Sequence, residues 1–213
     1  MAHVDIVGSG NMARGLATRL LHGRTDVRII GRNADQTAEL VESLGAGASS
    51  APAGSPFTAE VVILAVPHGS VAEIIRENGE SLAGKVVVDI SNPVDFSTMD
   101  RLTTPAGTSA AEEIAALLEG RADVVKAFNT TFAKTLVEGS VADLPLDVFV
   151  AGDSESAKLQ VTEIIARSGM RPIDTGPLHW ARQLESMMLL MMALQVNPEH
   201  ERFDWDTALK ILP

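Results

Sequence analysis

The sequence predicts an α/β protein with a doubly wound parallel sheet. Short runs rich in Val and Ile alternate with longer segments in which apolar residues recur at helical spacing, as in residues 4–7 followed by 11–21. Such alternation builds parallel strands joined by right-handed helical crossovers, with helices on both faces of the sheet. A glycine-rich turn directly after the first strand supports the same fold class, because such turns join strand to helix in doubly wound sheets.

Individual segments of the first half carry clear strand or helix signatures. Residues 60–66 and 85–90 are almost entirely apolar, as expected of strands buried on both faces of a parallel sheet. Residues 34–44 have a one-sided apolar face and end at a glycine, which is typical of a helix. The other predicted elements here are a strand at 27–30, helices at 70–82 and 109–119, a loop at 46–58 with at most a weak strand, and a loop at 92–107.

The second half continues the alternation with a larger share of helix. We place a domain boundary near residue 128, where the first unit is complete. This gives an N-terminal domain of residues 1–128 and a smaller C-terminal α/β domain of residues 129–213. The predicted elements of this half are strands at 124–128, 146–151 and 171–174, helices at 132–137, 154–168 and 178–195, and a short helix near 204–209.

The composition excludes several classes of protein. The chain has 213 residues with no Cys and no Tyr, so disulfides, thiolate metal sites and a phenolic acid–base catalyst are excluded. Seventeen Lys and Arg against 28 Asp and Glu give a net charge of −11, which disfavours nucleic acid and anionic membranes as partners. We find no signal-like segment and no apolar run near the roughly 20 residues of a membrane span. We therefore expect a cytoplasmic protein with no metal site.

The most informative segment is the turn after the first strand, where Gly8, Gly10 and Ala13 form a G-x-G-x-x-A pattern. Gly8 permits the tight turn, Gly10 lets backbone amides approach a pyrophosphate, and Ala13 lets helix and strand pack closely. The alternative is a tight turn with a purely structural role. Because the pattern lies between a strand and a helix, it favours a Rossmann-type dinucleotide site in the N-terminal domain. The neighbouring residues also predicted to bind the cofactor are Ser9, Asn11 and Met12.

The end of the second strand indicates which dinucleotide binds. An NAD site usually has an acidic residue there for the ribose 2′-hydroxyl, but this chain reads Gly31-Arg32-Asn33. An arginine pairs with phosphate through its planar guanidinium, so these residues favour NADP(H) over NAD, although Arg32 could instead be a solvated loop charge. Residues 1–33 hold five Arg against two Asp, a local net charge of +3 that agrees with an anionic cofactor.

Three further strand ends, at residues 65–68, 89–93 and 127–130, should border the ligand, because ligands of open parallel sheets lie beyond the C-terminal ends of the strands. Pro67 and Pro93 could form walls against the ribose and the nicotinamide, or could simply punctuate loops. Asn92 offers a neutral hydrogen bond, or is a turn residue. The predicted cofactor contacts of this region are Ala65, Val66, Pro67, His68, Asn92 and Pro93.

No residue is a firm catalytic candidate. His68 and Asn129 are weak ones, and for His68 a helix-start or cofactor-edge contact is the preferred interpretation. Lys126 and His179 matter only if a proton donor is needed. The methionine-rich run at 187–192 favours core or a dimer interface over a flavin pocket, so a homodimer through this helix or the tail is an open alternative.

Several longer segments resemble the NADPH-dependent coenzyme F420 reductases, also called F420-dependent NADP oxidoreductases. The cytosolic domain of the six-transmembrane metalloreductases belongs to the same wider group. The start, Gly8-Ser-Gly-Asn-Met-Ala, also resembles pyrroline-5-carboxylate reductases. The segments similar to the F420 reductases are Val124-Val-Lys-Ala-Phe-Asn-Thr, Val150-Ala-Gly-Asp-Ser-Glu-Ser and Arg171-Pro-Ile-Asp-Thr-Gly-Pro-Leu.

The resemblance implies reversible hydride transfer between NADP(H) and a small-molecule ring partner bound between the domains, either coenzyme F420 or a flavin (FMN or FAD). Two positions depart from the family: Asn129 stands where well-known members carry His, and Gly31 where a Ser helps to hold the phosphate. The alternatives are NADPH-dependent reduction of a small imine or ketone, and a non-catalytic NADP(H)-binding redox sensor. The residues that the resemblance assigns to the second cofactor or substrate are Asn129, Thr130, Thr131, Leu178 and Ser186.

Overall fold

The structure, a computed structural model, describes residues 3–200 and 203–212, and its centre is one eight-stranded sheet. A separate two-stranded hairpin lies beside it. The sheet strands are β1 (His3–Val7), β2 (Asp26–Gly31), β3 (Ala48–Pro52), β4 (Val61–Leu64), β5 (Val86–Asp89), β6 (Asp123–Lys126), β9 (Asp147–Gly152) and β10 (Arg171–Gly176), and the hairpin strands are β7 (Ser140–Val141) and β8 (Leu144–Pro145).

Seven α-helices flank the sheet and join its strands in the described part of the chain. Among residues 3–200 and 203–212, no helix has the length and apolar character needed to cross a membrane. The helices are α1 (Asn11–His22), α2 (Ala34–Leu44), α3 (Val71–Asn78), α4 (Ala110–Leu118), α5 (Ala133–Glu138), α6 (Glu155–Arg167) and α7 (Ala181–Val196), with single 3₁₀ turns at His68–Ser70, Gly79–Leu82 and Leu178–Trp180.

The sheet has the order β10-β9-β6-β5-β4-β1-β2-β3, with β1 between β4 and β2. All its pairs are parallel except β6 with β9, which is antiparallel and joins Val125 to Gly152 and Lys126 to Ala151. The C-terminal ends of β1, β2, β4, β5 and β6 therefore meet at one edge of the sheet. That edge is where an open parallel sheet binds its ligands.

Two apolar layers on opposite faces of the sheet hold the fold together. Because strand side chains alternate between faces, Ile63 enters the layer under α1 and α6, whereas Val62 and Leu64 enter the layer under α3 and α4. Strands buried on both faces explain the almost continuous apolar runs in the sequence. The predicted doubly wound α/β fold is confirmed.

Several predicted elements need correction. The weak strand expected within 46–58 is a full strand, β3, which pairs along β2 and ends the sheet. Each of the helices predicted from residues 70 and 178 contains a separate 3₁₀ turn, and the β7–β8 hairpin was not predicted. The short helix expected at 204–209 is wrong, because residues 203–212 have no helical turns and are held by side-chain contacts to other elements.

The predicted boundary near residue 128 falls between two strands of the same sheet. Strand β6 ends just before it, and β9, from the predicted C-terminal domain, pairs with β6. The C-terminal portion is therefore joined to the first unit through continuous backbone hydrogen bonding, and the division into two domains stays a prediction.

Candidate functional site

Two cavities lie beyond the C-terminal ends of the parallel strands. The first has a volume of about 390 Å³ and lies between the ends of β1, β2 and β4 and the helix α3. The second has a volume of about 620 Å³ and lies between the ends of β4 and β5 and the helices α1 and α7. Both volumes fall within the range of about 300–1,000 Å³ that is typical of small-molecule sites.

The glycine-rich turn forms the floor of the first cavity. Gly8 has a φ of +120°, and a Cβ at this position would lie 2.3 Å from the carbonyl oxygen of Ala65. At Gly10, by contrast, a Cβ would meet no protein atom within 4 Å. The turn is thus tight against β4 on one side and open on the other, which leaves room for a ligand beside Gly10.

Helix α1 begins directly after Gly10, beside this open space. Gly10 caps the helix without a side-chain hydrogen bond, and the first turn contains no acidic residue. Unpaired N–H groups and the positive end of the helix dipole together favour an anion. The residues present therefore fit the pyrophosphate of a dinucleotide.

Gly31 is required by packing at the neighbouring corner of the first cavity. A Cβ there would lie 2.1 Å from Thr37 Oγ1 and 3.1 Å from Ser9 Oγ. Thr37 is itself fixed, because its hydroxyl donates to the Asn33 carbonyl at 2.7 Å. Ser9 Oγ in turn donates to Gln36 Oε1 at 3.3 Å. No side chain fits on residue 31. The polar side-chain atoms at this corner therefore come from Ser9 and Gln36.

Arg32 is the positively charged side chain of the first cavity. It is exposed at the end of β2 and lines the cavity together with Asn33. Asn33 also caps α2, because its Oδ1 accepts a hydrogen bond from the backbone N–H of Gln36 at 3.0 Å. Arg32 therefore stands on a well-defined strand-to-helix turn at the first cavity.

The local charge of +3 in residues 1–33 is only partly available to a cofactor. Arg28 is engaged by the fully buried Asp5, with Nε donating to Oδ1 at 2.8 Å and Nη2 donating to Oδ2 at 2.7 Å. Burial alone would raise the pKa of Asp5, but hydrogen bonds from Arg28 and from two backbone N–H groups lower it. Of the five arginines in this segment, Arg32 alone lines the first cavity among the described residues.

The second cavity shares a wall with the first. Gly10, Ala65, Val66 and Pro67 line both. The lining of the second cavity contains no Asp, Glu, Lys or Arg within residues 3–200 and 203–212. Its apolar lining residues beyond the shared wall are Met12, Ile90, Pro93, Val94, Phe96, Phe132, Met188, Met192 and Trp205.

Polar groups follow the ends of β5 and β6 at the base of the second cavity. Asn92 and Asn129 form a reciprocal pair, since Asn92 Nδ2 donates to the Asn129 carbonyl at 2.9 Å and Asn129 Nδ2 donates to Asn92 Oδ1 at 3.0 Å. Ser91 Oγ, Asn129 Oδ1 and Thr130 Oγ1 are buried with no partner in the described part of the chain. Of these three residues, Ser91 is the one that lines the cavity.

The backbone before Asn129 is strained. Phe128 has a φ of +61°, a conformation that costs a non-glycine residue on the order of 1–3 kcal/mol. It is held there by Thr131, whose backbone N–H and hydroxyl both donate to the Phe128 carbonyl, at 3.1 Å and 2.7 Å. This turn brings Thr131 to the wall of the second cavity, while Asn129 and Thr130 lie buried behind it.

His68 lies on the 3₁₀ turn after β4 and lines the second cavity. Its Nε2 is 2.8 Å from Glu113 Oε2 on α4. Its Nδ1 is buried and has no hydrogen-bond partner in the described residues. The contact with Glu113 fixes the ring as part of the cavity wall.

The C-terminal tail closes one side of the second cavity. Trp205 lines the cavity and packs edge-on against Phe132, with ring centroids 5.4 Å apart. Its backbone N–H donates to Gln195 Oε1 at 3.0 Å, and Lys134 pairs with Asp206 at 3.1 Å. These contacts replace the helical turns that the sequence predicts for the tail.

Asp147 anchors the far end of the tail. It is 2% exposed and accepts hydrogen bonds from Arg171, Lys210 and the backbone N–H of Ile211. Burial alone would raise the pKa of Asp147, but these hydrogen bonds lower it to about 2. The tail is therefore tied to the start of β9 by a buried carboxylate.

Some of the predicted site residues lie away from both cavities. Leu178 is buried in the apolar layer near α4, and Ser186 is exposed with its hydroxyl donating to the Arg182 carbonyl. His179 is exposed and lines neither cavity. Lys126 is fully buried in an ionic cluster, and Ala13 is buried beneath the glycine-rich turn.

The remaining predicted contacts divide between the two cavities. Gln36, Phe57 and Trp205 were not predicted from the sequence, and Met188 and Met192 were predicted to be core or interface residues rather than cavity wall. The i, i+4 spacing of those two methionines was a usable signal for a shared face. Gly8, Ser9, Gly10, Arg32, Asn33, Ala65, Val66 and Pro67 line the first cavity, and Asn11, Met12, His68, Asn92, Pro93 and Thr131 line the second.

Residues 3–93 match the family model described as NADP oxidoreductase coenzyme F420-dependent. The match contains the glycine-rich turn, Arg32 and the shared wall of the two cavities. A pyrroline-5-carboxylate reductase from Coxiella burnetii is 17% identical with a TM-score of 0.63, covering 94% of this chain and 71% of that one, and this likeness concerns the fold alone.

Similarity to curated and solved proteins extends beyond that segment. The chain is 29% identical over 205 residues to F420-dependent NADP reductase from Methanocaldococcus jannaschii, covering 89% of this chain and 90% of the relative. A proposed F420-dependent NADP reductase from Arthrobacter sp. FB24 has a TM-score of 0.80 at 28% identity, covering 90% of this chain and 92% of that one.

Metalloreductase STEAP3 from Rattus norvegicus is 34% identical over 190 residues. The match covers 89% of this chain, which spans 37% of the length of that relative. These matches agree with the chemistry of the first cavity, and they assign the chain to the class of NADP-dependent oxidoreductases. The chain is thus similar to F420-dependent NADP reductases over most of its length, and residues 3–93 carry the match to the family model.

Proposed function

We propose that the chain catalyses reversible hydride transfer between NADP(H) in the first cavity and a second ring cofactor, coenzyme F420 or a flavin, in the second. The observation that carries this proposal is the shared wall of Gly10, Ala65, Val66 and Pro67. Ligands in the two cavities would contact the same short segments from opposite sides. This arrangement suits a reaction in which two flat rings must meet.

The first cavity offers a separate group for each part of the dinucleotide. Backbone N–H groups at Ser9 and Gly10 suit the pyrophosphate, and Arg32 suits the 2′-phosphate. Val66 and Pro67 would border the nicotinamide end, where the two cavities join. NADPH, when bound, supplies the hydride from its nicotinamide ring.

The second cavity would hold a ring in position and exclude water from it, rather than provide reactive groups. Phe132, Met188 and Met192 give it an apolar lining that would exclude water from a bound ring. Holding two reactants in a near-attack geometry can lower a barrier by about 7–11 kcal/mol without any side-chain chemistry. The F420-dependent NADP reductases among the relatives support F420 as the first acceptor to test.

Reduction of a small imine or ketone is less well supported by the site. Such a reaction needs a placed proton donor, and Lys126 and His179 do not line the second cavity. The titratable side chain in the described lining is His68, whose Nε2 is bound to Glu113. The cavity therefore favours a ring that spreads negative charge over itself.

The proposal is tested by mixing the purified protein with NADPH and, separately, with oxidised F420, FMN and FAD under anaerobic conditions. We expect loss of the acceptor's visible absorbance together with stoichiometric oxidation of NADPH. Protein omitted from the mixture is the control for direct reaction. Binding of NADPH without transfer to any of the three acceptors would contradict the proposal and would favour the redox-sensor alternative.

A further inference from the structure

A buried ionic cluster lies directly beneath the second cavity. Lys126 Nζ is 2.7 Å from Asp89 Oδ2, 2.7 Å from Glu185 Oε1 and 2.6 Å from the carbonyl oxygen of Ser91. Lys126, Asp89 and Glu185 each have an exposure of 0%. Glu185 Oε2 also accepts a hydrogen bond from the backbone N–H of Ala110 at 3.1 Å, so the cluster is fully bonded.

Stability alone does not account for such a cluster. Moving three charged groups out of water carries a desolvation penalty, and well-packed apolar residues often replace buried ion pairs without loss of stability. The penalty is visible at Glu185, since burial raises the pKa of its carboxyl even though Lys126 acts in the opposite direction. The cluster is better explained by the positions of the elements that it joins.

The partners of Lys126 belong to three walls of the second cavity. Asp89 and Lys126 are register partners at the ends of β5 and β6. The Ser91 carbonyl belongs to the segment after β5 whose side chains line the cavity. Glu185 belongs to α7, where Met188 and Met192 follow it on the same buried face and line the cavity.

The sheet by itself fixes β5 against β6, but it does not fix α7. Backbone hydrogen bonds join the two strands along their whole length, whereas α7 meets them through side chains. Through its Nζ atom, Lys126 binds the end of β5, the segment that follows it, and helix α7. A change at this atom would therefore move the methionine wall relative to the strand ends.

We propose that Lys126 is a positioning residue that, with Asp89 and Glu185, sets the distance between α7 and the ends of β5 and β6. That distance decides the width of the cavity for the second ring. This inference rests on the proposed hydride transfer. It assigns no chemical step to Lys126, which does not line either cavity.

The test compares Glu185→Gln and Lys126→Met with Lys158→Met in the full chain. Lys158 is a matched control, because it is 3% exposed, is bound to Asp174 and Glu155, and lines neither cavity. Glu185→Gln keeps the Lys126–Asp89 pair, so the test does not depend on Lys126→Met folding. For each variant we measure the unfolding temperature, the Kd of NADPH, and the KM and kcat of F420 or FMN.

We expect Glu185→Gln to raise the KM of the acceptor by about tenfold, because small displacements of a positioned ring are costly. The Kd of NADPH should stay within about twofold, since the first cavity does not include this cluster. Lys158→Met should lower the unfolding temperature without changing the KM of the acceptor.

Three results would overturn the inference: an unchanged KM in Glu185→Gln, an equal rise in KM in Lys158→Met, or an equal loss of NADPH affinity in Glu185→Gln. Failure of the proposed function is a different result. It would appear as absent hydride transfer in the unaltered protein, before any variant is compared.

Discussion

The two cavities share a wall but are built in opposite ways. The first is built within residues 7–78, around a glycine turn and one arginine at the end of the next strand. The second is assembled from side chains far apart in the chain, from Met12 to Trp205. The first cavity therefore depends on a few residues that tolerate little change, whereas the second depends on how several elements are packed.

Gly8→Ala is expected to have the largest effect, because it breaks the first cavity at its tightest point. The new Cβ would collide with the Ala65 carbonyl, and alanine disfavours the φ of +120°. We expect the affinity for NADPH to fall about 100-fold and the unfolding temperature to fall with it. Calorimetric titration and thermal unfolding measure the two effects.

Gly10→Ala is the matched control for that change. A Cβ at Gly10 meets no protein atom, so it should enter the ligand space without disturbing the fold. We expect weaker NADPH binding with an unchanged unfolding temperature. An equal loss of stability in both variants would show that the open side of the turn is structural.

Arg32→Gln should have the next largest effect, on cofactor choice rather than on folding. Hydrogen bonds to charged groups contribute about 1.5–3 kcal/mol, so the preference for NADPH over NADH should fall roughly 10–100-fold. The ratio of kcat/KM values for the two cofactors measures this. Arg14→Gln is the control, since Arg14 binds Ser43 and lines neither cavity, and an equal effect there would contradict the role of Arg32.

Trp205→Ala should affect the second cavity alone. Its edge-on contact with Phe132 belongs to a class worth about 0.5–1.5 kcal/mol beyond area burial, so the KM of the acceptor should rise roughly 2–10-fold. The Kd of NADPH should not change. Trp180→Ala, at a half-exposed tryptophan outside both cavities, should leave both constants unaltered. A rise in the Kd of NADPH for Trp205→Ala would show that the cavities are not independent.

The smallest expected effect concerns acid stability of the tail that closes the second cavity. The folded-state pKa of Asp147 is about 2, below its ordinary value of 3.8. Its contribution is therefore complete above about pH 4 and is lost as the pH falls toward 2, a change of about 2 kcal/mol in the free energy of unfolding.

Asp147→Asn should remove this part of the acid dependence and should lower stability at neutral pH. Asp143→Asn, at an exposed carboxylate, is the control. Denaturant unfolding at a series of pH values measures the difference. The assignment of this pH dependence to Asp147 would be contradicted if Asp147→Asn kept the acid dependence of the unaltered protein.

The first cavity was predictable because the residues that mark it lie close together in the sequence. The positions of Gly8, Gly10 and Arg32 relative to two strands are visible in 33 residues of sequence, and the structure places all three on one cavity. One packing contact near this cavity could not be predicted from the sequence. Thr37 occupies the space beside Gly31, which explains a residue that looked like a lost phosphate ligand.

The second cavity was only partly predictable, since its contacts join distant segments. Trp205 reaches Phe132 through a tail without helical turns, and the predicted helix at 204–209 would have turned these residues elsewhere. Leu178 and Ser186 were assigned by resemblance and lie outside the cavity, while Met188 and Met192, on the same helix as Ser186, form part of its wall. A fully buried lysine bound to two carboxylates has no signature in a single sequence.

The two cavities are completed at very different points along the chain. This has a consequence for folding during synthesis on the ribosome. The lining of the first cavity is complete once Asn78 has emerged, whereas the second needs Trp205. Because N-terminal units generally fold first, a nascent chain should complete the first cavity, the proposed dinucleotide site, well before the second. The dinucleotide could then act as a ligand-induced stabiliser of a growing chain that is not yet able to use it.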